Sequence, residues 1–148
     1  MTDLERLKAW LATYPGAGQI SAMQVDYTDR LPGQFGVFPA GLVELSRHEN
    51  ILGDVTVKNQ YNFALYAVFA KSPGDDVAAQ GNADWVMDLQ RWVQAQSAAG
   101  KAPTFGTVDT AHETMTAQNG ALFEADGEGT ALYMVQLAAA FTVCHLAD

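Results

Sequence analysis

The stretch Val55-Thr-Val-Lys-Asn-Gln-Tyr-Asn-Phe-Ala-Leu-Tyr-Ala-Val-Phe-Ala70 decides the fold, because apolar residues recur along it at every second position. Side chains alternate between the two faces of a β-strand, so this pattern predicts one long strand with an apolar face. Its other face begins with polar Thr56 and Lys58 and becomes apolar toward Val68. We therefore expect the first half to extend beyond the core, where it pairs with a neighbouring subunit, frames a mouth or forms a plain exposed edge.

A helix is predicted at the start of the chain. Thr2 and Glu5 have the spacing of a capping box, and Pro15-Gly16 ends the periodic pattern that follows. The apolar positions of this helix are Leu4, Leu7, Trp10, Leu11 and Tyr14.

A second helix is predicted after the breaker from Ser72 to Asp76, with Asn82 as its N-cap and Gly100 and Pro103 beyond its end. One side of it carries Trp85, Leu89, Trp92, Val93 and Gln96. Aromatic residues at helical spacing indicate packing in the core in preference to an interface.

The remaining segments predict further strands. Met23, Val25 and Tyr27 alternate with polar residues until Asp29 to Gly33, whereas Phe35 to Leu45 contains Gly36, Pro39 and Gly41 and predicts a loop with short strand pieces. The later elements are a variable stretch at Thr104 to Ala117, an Asn119-Gly120 turn, a strand at Leu122 to Ala125, a turn at Asp126 to Gly129, and a strand at Thr130 to His145. The predicted fold class is α+β: a mixed, mainly antiparallel sheet flanked by an N-terminal helix and a central helix, with residues 1–148 forming a single domain.

The charge of the chain is strongly acidic. Eight Lys and Arg oppose seventeen Asp and Glu, which gives a net charge of −9 and disfavours binding to nucleic acid or to an anionic membrane. After Lys101 the only charged residues, apart from His112 and His145, are Asp109, Glu113, Glu124, Asp126, Glu128 and Asp148. Cys144 has no partner for an internal disulfide, and neither a secretory leader nor a membrane span is predicted, so we expect a cytoplasmic protein.

The sequence was tested for metal sites. His48-Glu49 and His112-Glu113 each lack the second His that a zinc-protease helix needs four positions on, where Leu52 and Thr116 stand. The segment from Glu124 to Gly129 has acids where a calcium loop begins, but Val135 occupies the position of the bidentate Glu. We assign these acids to a hairpin turn and predict no metal site and no cofactor.

Catalytic motifs are also incomplete. Gly16-Ala17-Gly18 follows a helix and lacks the third Gly of a phosphate-binding loop, and no Gly-x-Ser-x-Gly occurs. Cys144 and His145 are neighbours on a predicted strand, so their side chains point to opposite faces, and Cys144 is predicted to be a small core residue. Seventeen acids leave paired carboxylates open. We predict no catalytic residue and a protein that is not an enzyme.

Three segments resemble a known family. They are the strand Asn59-Gln-Tyr-Asn-Phe-Ala-Leu-Tyr-Ala-Val-Phe69 with Lys71-Ser72, the helix Ala83-Asp-Trp-Val-Met-Asp-Leu-Gln-Arg-Trp92, and Leu122-Phe-Glu-Ala-Asp-Gly-Glu-Gly-Thr-Ala-Leu-Tyr-Met-Val135. In this order, behind a short helix, they resemble the minor capsid or tail-terminator-like proteins of long-tailed phages and prophages of Gram-positive bacteria. The resemblance covers nearly the whole chain, although the segment from Gly106 to Ala117 matches nothing in that family.

The resemblance implies a structural role in a virion. The expected form is a homo-oligomeric ring, typically a hexamer, that caps the tail tube, stops its growth and joins tail to head. The implied partners are further copies of the chain, the tail tube protein and the head–tail connector, and DNA passes through without specific binding. The implied location is the neck end of the tail, after assembly in the cytoplasm of the bacterial host. An acidic lumen would repel phosphates, and Glu124, Asp126 and Glu128 are candidates to line it.

Two alternatives predict different structures. Another neck or tail protein, such as a head–tail connector or a minor capsid protein, predicts the same composition with a different assembly. A small-ligand-binding domain or an enzyme predicts a deep pocket lined by Trp or Tyr that holds a carboxylate of raised pKa.

Overall fold

The computed structural model describes residues 2–15, 22–25, 34–70, 76–125 and 130–147. In chain order the elements are helix α1 (Asp3–Leu11), strands β1 (Ala22–Val25), β2 (Gln34–Glu49) and β3 (Val55–Ala70), helix α2 (Asp76–Ala98), a 3-10 turn (Thr110–His112), and strands β4 (Thr114–Ala125) and β5 (Thr130–His145).

The strands form one sheet in the order β1-β2-β3-β5-β4. Strand β1 runs parallel to β2, and the other neighbours are antiparallel. The predicted fold class, an α+β fold with a mainly antiparallel sheet and two helices, is confirmed. Strands β3 and β5 have the predicted bounds, and they pair without a register shift from Val55 with His145 to Ala70 with Thr130.

The two helices cover the face of the sheet that carries the odd-numbered residues of β3. Phe63, Leu65 and Ala67 are buried there, and on the other face Lys58 is exposed. The prediction that the first half of β3 extends beyond the core as a free edge is wrong, because Val57 and Asn59 are buried and β3 pairs with β2 and β5 from Val55 onward. The same buried core contains, from α1, α2, β4 and β5, the residues Leu7, Leu11, Val86, Leu89, Val93, Met115, Val135 and Leu137. Because apolar area buried on this scale is the main favourable term in folding, this covered face stabilises the domain.

Helix α1 and its docking follow the sequence prediction. The Thr2 hydroxyl accepts a hydrogen bond from Glu5 N–H and the Glu5 carboxylate accepts one from Thr2 N–H, which is the predicted capping box. Trp10 stacks on Trp92 with ring centroids 4.8 Å apart, and its indole N–H donates to Gln96 Oε1. Trp85 is buried as well, so the prediction that the aromatic side of α2 packs in the core is confirmed.

Strand β2 corrects the prediction of a loop from Phe35 to Leu45. It is continuous over sixteen residues, and the two bulges at Ala40 and Leu45 absorb the irregular sequence. Gly41, which follows the first bulge, has φ +101°, a conformation open to glycine. Proline is tolerated at bulges and on edge strands, so Pro39 does not end this strand.

Two further corrections concern Asn119-Gly120 and Asn82. Asn119 has φ +57° and lies in a bulge within a continuous β4, because a left-handed residue next to a glycine suits a bulge as well as a turn. Gly120 lies against α2: a Cβ there would be 2.4 Å from Gln90 Oε1 and 2.6 Å from Val86 Cγ1. Helix α2 begins at Asp76, so Asn82 is an interior residue and the predicted cap is wrong.

Several predictions fall outside the described residues. They are the strand end at Tyr27, the breakers at Asp29 to Gly33 and Gly16 to Gly18, and the turn at Asp126 to Gly129. Cys144 is half-exposed, so its prediction as a core residue is wrong. No described helix is long and apolar enough to span a bilayer.

Candidate assembly surfaces

Helix α2 covers the outer edge of β4. Met115 N–H donates to Ser97 Oγ at 3.0 Å, and Gln90 Nε2 donates to the Ala117 carbonyl oxygen at 3.2 Å. Unpaired backbone groups on an edge strand otherwise pair readily with another chain. These two contacts therefore satisfy, from within the chain, edge groups that a foreign strand would use.

A loop covers the neighbouring edge of β5. Thr107 N–H and Val108 N–H both donate to the Thr142 carbonyl oxygen, at 2.9 and 3.1 Å. Gly106 permits this approach, because a Cβ there would lie 2.3 Å from Thr142 O and 2.9 Å from Thr142 N. The segment from Gly106 to Val108, which resembles nothing in the phage family, thus covers the edge of β5 at Thr142.

Glu113 holds this loop in place. Its carboxylate oxygens accept hydrogen bonds from Phe105 N–H at 2.7 Å and Gly106 N–H at 3.2 Å. Hydrogen bonds to a charged acceptor are stronger than neutral ones. Glu113, which the sequence places among the acids of the predicted acidic surface, is therefore half-buried and structural in this fold.

The outer edge of β2 differs from the covered edges of β4 and β5. Strand β1 pairs with it over residues 34–37 only; residues 38–49 pair with β3 on their other edge, and no described strand lies on this outer one. Leu42, Val43 and Leu45 are exposed on this part. Its bulges and its charged pair, Glu44 with Arg47 at 2.7 Å, limit indiscriminate strand pairing. The edge is thus open to a partner, though irregular in shape.

The β2–β3 turn, residues 50–54, presents two apolar side chains on an ordered backbone. Asn50 Oδ1 accepts from Leu52 N–H at 2.9 Å and Asp54 N–H at 3.0 Å, and Asp54 Oδ1 accepts from Ala147 N–H at 2.8 Å. Ile51 is fully exposed and Leu52 is 75% exposed. We call Ile51 and Leu52 the tip. Apolar side chains held outward by a hydrogen-bonded turn are a feature of interaction sites.

An apolar groove lies between the start of α1 and the middle of β2 and β3. Its volume is about 330 Å³. Its apolar lining residues are Leu4, Pro39, Leu42, Tyr61 and Phe63. The Tyr61 hydroxyl donates to Asp3 Oδ2 at 2.9 Å, and burial followed by this hydrogen bond raises the pKa of Tyr61. The contact fixes α1 to the sheet, and both of its residues line the groove.

The face of the sheet opposite the helices carries a shallow concavity of about 700 Å³. Its polar lining residues are Gln60, Asn62, Thr114, Thr116, Gln118 and Gln136, and alanines of β3 and β5 lie between them. Neither an aromatic pair nor a carboxylate stands in this lining. It therefore lacks the pocket chemistry that the ligand-binding or enzyme alternative predicts.

One cluster of titratable groups borders the covered edge. Lys58, Asp109, His112 and Glu113 line a concavity of about 170 Å³. The hydrogen bond to Asp109, and then its negative charge, raise the pKa of His112. His112 is 80% exposed, so the pair is a surface ion pair. No group of three or more potential metal ligands exists among the residues that the structure describes.

The remaining predicted candidates lie apart. Cys144 pairs with Thr56 and His145 with Val55, so their side chains are on opposite faces, as predicted. His48 lies on β2 and His112 in the 3-10 turn, in neither case on an α-helix. The side chain of Glu124 and residues Asp126, Glu128 and Asp148 are not described, so the acidic lumen stays a prediction.

Comparison with models of known protein families and with curated proteins finds no match for this chain. The phage-family resemblance therefore stays a prediction. Neither the tip nor the groove was predicted from the sequence. Two consecutive apolar residues between Asn50 and Gly53-Asp54, in a turn, were the available signal for the tip, whereas the groove depends on how α1 docks.

Proposed function

We propose that the protein is a structural subunit that works by assembly with other protein chains. One observation carries this proposal: among the residues whose exposure the structure describes, five of the seven exposed large apolar ones lie between Leu42 and Leu52, in the open part of β2 and the turn that follows. A sixth, Leu146, precedes the residue that binds Asp54. Apolar side chains concentrated in one region of a surface mark interaction sites.

The chemistry of the described surface supports the same proposal. The neutral concavity has no titratable lining, and the titratable cluster beside it is an open surface whose Glu113 is engaged by backbone N–H groups. Catalytic sites bring a positioned acid, base or nucleophile into a protected cavity. Assembly requires only complementary surfaces, and the open edge, the tip and the groove are available for it.

The finer proposal is a phage tail terminator. The resemblance of β3, α2 and the β4–β5 region to that family supports a homo-oligomeric ring, of six subunits in the family, that caps the tail tube and joins tail to head. Its partners are the tail tube protein and the head–tail connector, and DNA passes through the ring. Subunits in a ring meet through two unlike surfaces, and the tip and the groove are unlike.

The test combines mass measurement in solution with negative-stain images, with and without tail tubes of a long-tailed phage. We expect rings of defined size on tube ends. Leu45→Lys should reduce capping, since it places a charge on the open edge, whereas Met87→Lys, on α2, should not. Protein that binds heads and not tubes would replace the terminator with the connector proposal. A monomer indifferent to heads and tubes would refute the virion role.

A further inference from the structure

We infer, building on the proposed assembly function, that the open edge of β2 pairs with the same edge of a second copy. The two strands run antiparallel and are related by a two-fold axis at Ser46. Glu44 of each copy then lies opposite Arg47 of the other. The partner of the open edge is thus a second copy of this chain, in one defined register.

The bulge at Leu45 places Glu44 and Arg47 on the same face of the sheet. Glu44 lies opposite Asn59 of β3, and Arg47 lies opposite Val57, two positions further along the ladder. Side chains two positions apart on a strand share a face. Arg47 Nε and Nη2 donate to the two carboxylate oxygens of Glu44, at 2.7 and 3.2 Å, and both side chains are exposed. The open edge therefore presents one negative and one positive charge side by side.

This pair of charges is complementary to itself under a two-fold axis. If Ser46 faces Ser46 of a second copy, the ladder position on one side of it faces the position on the other side. Arg47 is then opposite Glu44 in both halves, and the four charges alternate in sign around the axis. Opposite charges at directly opposed positions stabilise a strand pair, and a network of charges contributes more than one exposed pair. Charge complementarity thus selects the same edge of another copy.

The same charges disfavour the neighbouring registers. The two nearest two-fold registers that keep each side chain on its own face put Glu44 opposite Glu44, or Arg47 opposite Arg47. Like charges directly opposite each other destabilise a strand pair. Of these three registers, only the one centred on Ser46 brings unlike charges together.

The register at Ser46 also agrees with the space along the edge. It places Glu49 opposite Leu42, so the ladder covers residues 42–49 and ends before residues 34–37, which β1 occupies. The exposed side chains of Leu42, Val43 and Leu45 lie within this stretch. Pairing therefore removes apolar surface from water without displacing any described strand.

The contact determines a class of assembly. It joins two identical surfaces, so it makes pairs of subunits and does not propagate by itself. A ring would then consist of such pairs joined by a second, different contact.

The experiment uses the full chain in sedimentation velocity from about 10 μM to about 1 mM. Glu44→Arg makes both edge charges positive and Arg47→Glu makes both negative, so each variant opposes like charges across the axis. The controls are Asp88→Arg and Arg91→Glu, an exposed ion pair on α2 with the same spacing and the same changes in net charge. We expect wild type and both controls to dimerise, and the two edge variants to lose about tenfold or more in affinity. Circular dichroism checks that each variant is folded.

The decisive sample mixes Glu44→Arg with Arg47→Glu. A copy with two positive charges then meets a copy with two negative charges, so mixed dimers should form although neither variant pairs with itself. The double variant Glu44→Arg/Arg47→Glu exchanges the two charges and should dimerise like wild type. If the single variants lost affinity only because the ion pair within each chain is broken, mixing them would restore nothing.

A disulfide tests the register. Directly opposed residues of antiparallel strands have Cα atoms about 4.5–5.5 Å apart, within reach of a disulfide. In a Cys144→Ser background, Ser46→Cys should therefore form a covalent dimer on oxidation. Gln94→Cys, at an exposed position of α2, should stay monomeric.

The outcomes for this contact and for the proposed function are separate. A wild type that is monomeric throughout, a mixture that stays monomeric, or a control that loses as much affinity as Arg47→Glu would overturn the inference. Dimers that ignore heads and tail tubes would instead overturn the virion role and leave this contact standing. Protein that caps tubes but never forms this dimer would do the reverse.

Discussion

On the β4–β5 side of the sheet, outward-facing backbone groups bind side chains and loops of the same chain, whereas residues 38–49 of β2 pair with β3 on one edge and have no described strand on the other. Ser97, Gln90 and the loop at Thr107 provide the cover on the first side. The second side carries exposed Leu42, Val43 and Leu45. The covered side completes the fold, and the open side is available to other chains.

Under the proposed function, this contrast separates residues that stabilise the fold from residues that contact other chains. Substitutions on the covered side should change the free energy of unfolding. Substitutions of exposed residues on the open side, other than a glycine with positive φ, should leave it within about 0.5 kcal/mol, since surface changes away from special features have little effect on stability. The predictions below test this division, from the largest expected effect to the smallest.

Gly106→Ala should have the largest effect. The new Cβ would lie 2.3 Å from a backbone oxygen of β5, so the loop must move away, at a cost of about 3 kcal/mol. The matched change on the open side is Gly41→Ala, where no atom lies within 4 Å of the new Cβ. Only the positive φ opposes this substitution, so the free energy of unfolding should fall by about 1 kcal/mol. Urea unfolding measures both. Equal losses would show that the covered edge is not tightly packed.

Glu113→Ala should have the next largest effect and lower the free energy of unfolding by about 2 kcal/mol, because two backbone N–H groups lose a charged acceptor. Glu113→Gln keeps one acceptor oxygen and should lose less. Hydrogen exchange should accelerate at the amides of Phe105 and Gly106, and unfolding measurements give the free energy. Unchanged exchange in Glu113→Ala would mean that the carboxylate does not hold the loop.

Ser97→Ala should lower the free energy of unfolding by about 1 kcal/mol, since Met115 N–H loses its protein partner and can bind only water. The control is Gln94→Ala, an exposed position on the same helix. Exchange of the Met115 amide should accelerate in Ser97→Ala alone. If the two variants behave alike, α2 does not protect the β4 edge.

Two of the surface ion pairs, His112 with Asp109 and Arg47 with Glu44, should differ in their dependence on pH. His112 has a raised pKa, so its pair with Asp109 stabilises fully below the unfolded value of 6.5, and this contribution disappears as pH rises through the raised pKa. On the open side, the hydrogen bond from Arg47 lowers the pKa of Glu44, so that pair is lost only as pH falls through the lowered value. NMR titration should show that Asp109→Asn lowers the pKa of His112, whereas Glu44→Gln leaves it unchanged.

Elements with local signals were predictable from the sequence. The alternation from Val55 to Ala70 and the capping box at Thr2 depend on residues close together in the chain, and both are confirmed. Strand β2 was not predictable, because pairing with β3 overrides the breaking tendency of Pro39 and Gly41. Asn119-Gly120 has the same local signal in a bulge as in a turn, so only the partner strand decides between them.

The assembly surfaces were only partly predictable. The polar beginning of β3 predicted a strand that extends past the core, but this half is paired on both sides with Val57 and Asn59 buried, and the tip lies in the turn before it. The groove joins residues of α1, β2 and β3 that are far apart in sequence. The cover of Thr142 by Thr107 likewise has no signal in either segment alone. Contacts of this kind arise from tertiary packing.

The central position of β3 has a consequence for the rate of folding. Its partner on one side, β2, is joined to it by a short turn, and hairpins of this kind form in about 1–10 μs. Its partner on the other side is β5, and Val55 can pair there only after the chain has been folded back as far as His145. Proteins dominated by pairings between such distant segments fold in about milliseconds to seconds. During that interval the second edge of β3 is exposed, and at high concentration in the cell this edge is the first place where nascent copies would misassociate.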